Sequence, residues 1–242
     1  MNKDKLIANK LKKNGYVLIK NFLTETSEFK DFKYFLLSFL NLALNKKCKN
    51  FNQMDKFLTE KFKKNAKISS FLNDNINLSP PLQRLLVSKK IITLLTTILN
   101  TNKESIILNN QRFRIQIPGN DKISNLPWHQ DCHYNSIKRT KSIVVWISLG
   151  EITKKMGPII FKNSSHKFGE QKKIKIKKEN GGNAFLVNVC NPRLKNLQEV
   201  DFETSFGDLI LIDMNTVHTS GNNLTLDKIK YSAQARFHVV KK

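Results

Sequence analysis

From Ser105 onward this 242-residue chain is built of short apolar runs cut by Gly, Pro and Asn. Ile106 to Ile117 reads as a strand that ends in the turn Pro118-Gly119. Ser142-Ile-Val-Val-Trp-Ile-Ser-Leu149 is rich in β-branched residues and reads as a buried strand. Gly207-Asp208 punctuates a turn, and Leu209 to Ile212 is a short apolar strand after it. Many short strands with such punctuation fold as a sandwich or barrel. The first hundred residues read instead as helices around one strand, Tyr16 to Lys20. Asp4 to Lys13 has a short amphipathic pattern. Ser27 to Leu44 carries Phe29, Phe32, Phe35, Leu36, Phe39 and Leu40 at helical spacing, which fits a helix packed on a sheet better than a lipid contact. Ser79-Pro80-Pro81 is a helix-start signal, and Leu82 to Leu99 follows as one buried helix. The expected organisation is one domain over 1–242, with 1–104 a mainly helical buttress and 105–242 the β core.

Within the β-rich half lies Leu126-Pro-Trp-His-Gln-Asp-Cys-His-Tyr134. His129 and Asp131 are two apart, so a regular strand would present both on one face and Gln130 on the other. His218, in Asp213-Met-Asn-Thr-Val-His218, would arrive from a second strand alongside. Two histidines and a carboxylate are the ligand set of a non-haem Fe(II) oxygenase. The triplet alone is weak, since a core histidine beside Trp128 and a turn aspartate would look the same.

The surrounding segments add order and context. The HQD triplet is flanked by His133-Tyr134, and Trp146 follows within an apolar strand. Met156-Gly-Pro-Ile-Ile-Phe161 precedes Asn163-Ser-Ser-His-Lys167, Gly207-Asp208 precedes His218, and Ser220-Gly221 follows it. Asn14 to Leu23 supplies an N-terminal strand. In these residues the chain resembles the phytanoyl-CoA dioxygenase family of Fe(II)/2-oxoglutarate oxygenases over nearly its whole length. The resemblance implies a double-stranded β-helix, the jelly roll related to cupins, with helices against one sheet and the metal in the barrel mouth. It implies Fe(II) on His129, Asp131 and His218, with 2-oxoglutarate as cosubstrate and O2 as oxidant. It implies hydroxylation of a substrate with release of succinate and CO2. Related halogenases lack the carboxylate, so Asp131 favours hydroxylation; desaturation and epimerisation remain open.

One position departs from the family pattern. An arginine about a dozen residues after the distal histidine normally binds the far carboxylate of 2-oxoglutarate. Here that place falls on Lys230, allowing one inserted residue. A lysine neutralises a carboxylate as a point charge, without the fork of arginine. Arg236 has the same strand parity and is the alternative anchor. Ser220 is a candidate partner for a cosubstrate carboxylate. Trp146 either walls the cosubstrate pocket or is a plain core aromatic. Gln111 and Phe113 share one strand face and Arg112 and Arg114 the other; the Pro118 turn and the family pattern favour Gln111 and Phe113 for the cavity. Tyr134 and His133 are expected at its rim, and His166 and His238 in structural roles. Lys172 to Gly182 reads as a mobile loop between core strands.

Composition limits the rest. The formal charge is +23, yet only six of the 42 basic residues are arginine. Spread lysines fit a compositional bias better than a polyanion groove, although the charge favours anionic ligands by long-range steering. A small, anionic substrate is therefore expected. An oxygenase acting on nucleic acid would need a basic, aromatic-lined groove near the iron. A second alternative is a jelly-roll binding protein that has lost 2-oxoglutarate, for which Lys230 is the only support. Three cysteines without CxxC spacing, Cys48, Cys132 and Cys190, argue against disulfides or zinc and fit a reducing cytoplasm. No apolar run approaches the ~20 residues of a membrane helix.

Overall fold

The computed structural model describes residues 3–65, 67–119, 126–134, 141–177 and 183–240. Helix α1 (Lys3–Asn14) leads into strand β1 (Tyr16–Ile19). Helices α2 (Ser27–Leu44), α3 (Phe51–Lys64), α4 (Lys67–Asn77), α5 (Pro80–Leu86) and α6 (Lys89–Leu99) follow. The β half comprises β2 (Ile106–Gln116), β3 (Ser142–Ser148), β4 (Ile159–Lys162), β5 (Lys173–Lys177) and β6 (Asn183–Val187). After the short helix α7 (Pro192–Lys195) come β7 (Glu199–Asp201), β8 (Leu209–Asp213), β9 (His218–Ser220) and β10 (Lys230–Val239).

Two expectations need correction. Leu82 to Leu99 is not one helix. Ser79 caps α5 by accepting from the Leu82 amide, and the prolines sit in the first turn, but α5 ends at Leu86. Ser88 then leaves helical geometry, with φ -55° and ψ 147°, and starts α6. β-Branched Val87 and a serine, which competes for backbone hydrogen bonds, are poor material for continuing a helix. Lys172 to Gly182 is not wholly a loop either. Its alternation of Lys and Ile forms β5, which pairs with β6 from Lys173↔Val187 to Lys177↔Asn183; residues 178–182 lie outside the described residues.

The strands form an antiparallel five-stranded sheet, β1-β8-β3-β10-β2, and an antiparallel three-stranded sheet, β7-β4-β9. β1, from the helical half, takes an edge of the larger sheet, so the first hundred residues supply part of the β core as well as its buttress. Successive side chains on a strand alternate between faces. On the outer face of the larger sheet, Phe113, Ile115, Ile143, Val145, Leu211, Ala233, Ala235 and Phe237 join Phe32, Leu36, Leu82 and Leu95 of the helices in one buried cluster. On the inner face, Val144, Trp146, Ile210 and Ile212 meet Phe161 of the smaller sheet in another. Tyr16 stacks on Phe161 with ring centroids 4.3 Å apart, which pins the two sheets together. This is the double-stranded β-helix with flanking helices. Among the described residues, no helix is long and apolar enough to cross a membrane.

Candidate metal centre

His129, Asp131 and His218 converge, with their ligand atoms all within 4.8 Å of one another. The route differs from the expected strand. His129 forms an isolated antiparallel bridge with His218, each amide donating to the other's carbonyl at 2.9 and 3.0 Å. The backbone then leaves the extended form, and Asp131 begins a 3-10 turn through Tyr134. The two side chains therefore reach one point from the end of a strand and the start of a turn. His218 does arrive from a neighbouring strand, β9. Gln130 points elsewhere: its amide nitrogen donates to the carbonyls of Gly169 and Asn215, and its oxygen accepts from the Gln171 amide. It splices three loops behind the metal ligands.

The imidazoles are oriented by backbone. His129 Nδ1 lies 2.7 Å from the Pro127 carbonyl and His218 Nδ1 lies 2.9 Å from the Thr216 carbonyl. A carbonyl only accepts, so each Nδ1 carries the proton and each Nε2 presents its lone pair. Burial, reinforced by the neighbouring His218, pushes the His129 pKa down to about 3. A neutral imidazole is the form that binds a metal.

Asp131 is almost fully buried. Its Oδ1 accepts from Arg236 Nε at 3.0 Å and also from the Arg236 Nη2. Its Oδ2 has no hydrogen-bond partner among the described residues and lies 3.5 Å from His218 Nε2. Burial works to raise this carboxyl's pKa, but Arg236 and the two histidines outweigh it and hold it well below the usual carboxylate range. A buried carboxylate oxygen without a donor is costly unless something cationic meets it. Two Nε2 lone pairs and that oxygen, all facing one point, suit a divalent metal with N and O ligands.

The inner face of β10 carries Lys230, Ser232, Gln234 and Arg236, all but Gln234 fully buried. Arg236 is committed to Asp131. Lys230 stands six residues away on the same face, roughly 20 Å along a strand at ~3.4 Å per residue. The two cations therefore serve different ends of the barrel. The Lys230 ammonium donates to the Gly157 carbonyl. Gly157 and Gly221 pack so closely that a Cβ on Gly157 would strike the Gly221 backbone, and Gly157 has a φ of +69°. Only glycine brings these turns together beside Lys230. Ser220 follows His218 by two on β9 and shares its face. Trp146 is buried on the inner face of β3, opposite Gln234 of β10.

The cavity-facing pair on β2 is the reverse of that expected. Phe113 lies in the helix-side cluster, 6.3 Å from the ring of Phe32, and Gln111 shares its parity. Arg112 and Arg114 face inward with Gln116, whose Nε2 donates to the Gly221 carbonyl at 3.0 Å. The helices packed on the sheet need an apolar partner, and Phe113 and Ile115 supply it; that burial outweighs any preference of the turn at Pro118. Tyr134 stands at the rim, its hydroxyl accepting from the Phe185 amide at 2.9 Å. His133 is buried, with Nε2 2.9 Å from the Gln171 carbonyl, rather than at the rim. His166 and His238 make local contacts to the Lys12 carbonyl and the Ser142 hydroxyl. Cys48, Cys132 and Cys190 are free thiols.

The inward facing of Arg114 and the bond of Arg236 to Asp131 were not expected from the sequence. The even spacing of Arg112, Arg114 and Gln116 was the available signal for the first. Nothing in the sequence pairs Arg236 with a residue 105 positions away.

Comparison with known proteins agrees with this geometry. Residues 11–230 match the family described as phytanoyl-CoA dioxygenase. A search of curated proteins found no match. Among solved structures, the fold is similar to the epimerase SnoN in complex with Fe3+, alpha ketoglutarate and nogalamycin RO, with a TM-score of 0.67 at 16% identity over 98% of this chain and 83% of that one. It is also similar to EctD from S. alaskensis with 2-oxoglutarate and 5-hydroxyectoine, with a TM-score of 0.65 at 14% identity over 99% and 77%. A third is EvdO2 from Micromonospora carbonacea var. aurantiaca complexed with 2-oxoglutarate, with a TM-score of 0.65 at 15% identity over 99% and 92%. The match over most of the sequence, on top of the His129, Asp131 and His218 cluster, establishes that the chain belongs to the phytanoyl-CoA dioxygenase family of Fe(II)/2-oxoglutarate-dependent oxygenases.

Proposed function

We propose that this protein hydroxylates a small molecule, using Fe(II) held by His129, Asp131 and His218 and 2-oxoglutarate held by Lys230. The observation that carries the reading is the division of labour in Asp131. One oxygen is fixed by Arg236, and the other, buried and without a donor among the described residues, faces two imidazole Nε2 atoms. When bound, the iron supplies the oxidation that couples 2-oxoglutarate decarboxylation, giving succinate and CO2, to substrate hydroxylation. The residues provide orientation and exclusion of competing reactions. The Pro127 and Thr216 carbonyls fix both imidazole rings. Arg236 fixes the carboxylate plane. Trp146 and the apolar cluster around it keep water from one side of the site.

Lys230 is the cation that fits the far carboxylate of 2-oxoglutarate. It is buried on the inner face, and its ammonium is held at the Gly157 turn. Arg236 already serves Asp131 and lies too far along β10 to substitute for it. Ser220, on the His218 face of β9, is a second partner for a cosubstrate carboxylate.

The test is direct assay of succinate with purified protein, Fe(II), O2 and 2-oxoglutarate. Slow turnover is expected without substrate, and faster turnover with it. Lys230→Ala should raise the apparent KM for 2-oxoglutarate by about two orders of magnitude or more, from the ~3–5 kcal/mol of leaving a buried charge unpaired. Lys230→Arg should retain activity. A large KM effect in Arg236→Ala with none in Lys230→Ala would move the anchor to Arg236. Absence of both 2-oxoglutarate binding and turnover in iron-loaded protein would favour a binding protein instead.

A further inference from the structure

The inner face of the larger sheet holds more positive charge than the cosubstrate needs. Arg112, Arg114 and Arg236 lie on two adjacent strands, where Arg114 pairs with Ser232 and Arg112 with Gln234. Asp131 is the carboxylate that acts on both Arg114 and Arg236, and it is already bonded to Arg236 and faces the metal position. Among the described residues, the Arg114 side chain makes no hydrogen bond and no ion pair. It is half-buried, while Arg112 is exposed at the edge strand β2, so the pair runs from solvent towards the metal ligands. The Arg114 guanidinium is near enough to His129 and Tyr134 to share their electrostatic environment. Burial, and then the charges of Arg236 and Arg112, push its pKa down to about 10, against the smaller opposing pull of Asp131.

A second observation points the same way. The β5–β6 ribbon exposes Lys173, Lys175 and Lys177, and Lys172 is exposed just before it. It is tied to the rim of the site, since the Phe185 amide donates to the Tyr134 hydroxyl at 2.9 Å and the Val187 amide to the Trp128 carbonyl at 2.8 Å. A lysine-rich ribbon at the mouth raises the local concentration of anions.

We infer that Arg114 and Arg112 form the specificity site for the substrate, and that the substrate carries an oxyanion, a phosphate, sulfate or carboxylate, a few bonds from the carbon that is oxidised. The inference rests on the functional reading above and adds the substrate class to it. A guanidinium that is partly desolvated and unpaired in the free protein is preorganised for such a group, because binding supplies the partner that the fold withholds. Arg114 lies beside Ser232, two residues along β10 from Lys230, and Arg112 beside Gln234, so a substrate anion on the edge strand β2 would sit next to the cosubstrate anion rather than in its place.

The experiment is anaerobic calorimetry in a low-chloride buffer. 2-Oxoglutarate is titrated into Fe(II)-loaded protein, and sulfate or acetate is then titrated into the protein saturated with it. Sulfate should bind saturably beside 2-oxoglutarate, and acetate more weakly if the site prefers a dianion. Arg114→Gln should weaken sulfate about tenfold to a hundredfold, the range for loss of a charge-assisted pair, while 2-oxoglutarate affinity stays within about twofold of wild type. Arg114→Lys, which keeps the charge but loses the fork, should fall between. Sulfate binding that is absent in wild type, or equal in Arg114→Gln, overturns the inference. So does displacement of 2-oxoglutarate by sulfate together with a loss of 2-oxoglutarate affinity in Arg114→Gln, which would assign the arginines to the cosubstrate. Failure of wild type to bind 2-oxoglutarate would instead sink the functional reading; sulfate titration of the iron-free protein and of Arg114→Gln would still test the arginines on their own.

Discussion

The two faces of β10 are made by the same ten residues and do opposite things. Its outer face presents Tyr231, Ala233, Ala235, Phe237 and Val239 to the helices, all buried in the apolar cluster. Its inner face presents Lys230, Ser232, Gln234, Arg236 and His238 to the barrel. The outer set holds the sheet against the helices by area removed from water. The inner set is polar and buried, an arrangement that is unfavourable unless each group has a partner. A strand's pleat lets one segment carry both tasks without mixing them. Stability and ligand binding should therefore separate by residue parity.

The strongest attempt to break that separation is His218→Ala, on the facing strand β9. It removes a metal ligand while leaving the outer cluster intact. Tight iron binding should be lost, by more than the ~10–100-fold typical of outer-shell partners, with thermal unfolding of the metal-free protein little changed. Metal titration beside a melting curve checks both; unchanged stoichiometry and affinity would reject the assignment. Next in size is Phe237→Ala on the outer face. Phe237 is fully buried, and its truncation should cost about 3–5 kcal/mol of stability. Denaturant unfolding measures this, and the iron affinity of the folded fraction should match wild type. If iron affinity fell in step with stability, the two faces would not be independent.

Arg236→Gln sharpens the comparison from the inner side. The guanidinium orients Asp131 but also repels a cation bound beyond it. Orientation of a buried carboxylate should dominate, so iron affinity should fall about 10–100-fold. Tighter binding in calorimetry would mean that charge repulsion is the larger effect. The smallest effect concerns how the start of β10 is held. Asp55 of α3 accepts from the Ile229 amide at 3.2 Å and the Tyr231 hydroxyl at 2.8 Å, on either side of Lys230. Burial raises its pKa to about 6, against the lowering effect of those hydrogen bonds. A carboxyl raised in the folded state contributes stability that is full below its unfolded pKa near ~4 and lost as pH rises through about 6. Asp55→Asn should remove this fall and leave the protein about 1–2 kcal/mol more stable than wild type at pH 8. Unfolding curves at pH 4 and pH 8 test it, and an equal wild-type stability at both would contradict it.

Local signals made much of this legible. The period-2 runs of β3 and β8, the cap at Ser79 and the stripe of α2 are written in adjacent residues, and so are the spacing of His129 and Asp131 and the Gly207-Asp208 turn. Asp208 is indeed the buried acceptor for the Asn21 and Ser205 amides. What could not be read depended on distant packing. The facing of β2 was set by helices wanting Phe113, and the sequence alone offered either parity. The break at Ser88 and the 3-10 turn at Asp131 are one-residue departures from a period. The Arg236–Asp131 pair joins segments that only the finished barrel brings together.

The central claim is that the inner face of this barrel is an Fe(II)/2-oxoglutarate site with Lys230 as its far anchor. The most direct measurement is an anaerobic crystal structure with Fe(II) and 2-oxoglutarate. The account predicts iron on His129 Nε2, Asp131 Oδ2 and His218 Nε2, Asp131 Oδ1 still on Arg236, and the far carboxylate of 2-oxoglutarate on the Lys230 ammonium. Iron bound elsewhere, or that carboxylate resting on Arg114 or Arg236, would contradict it.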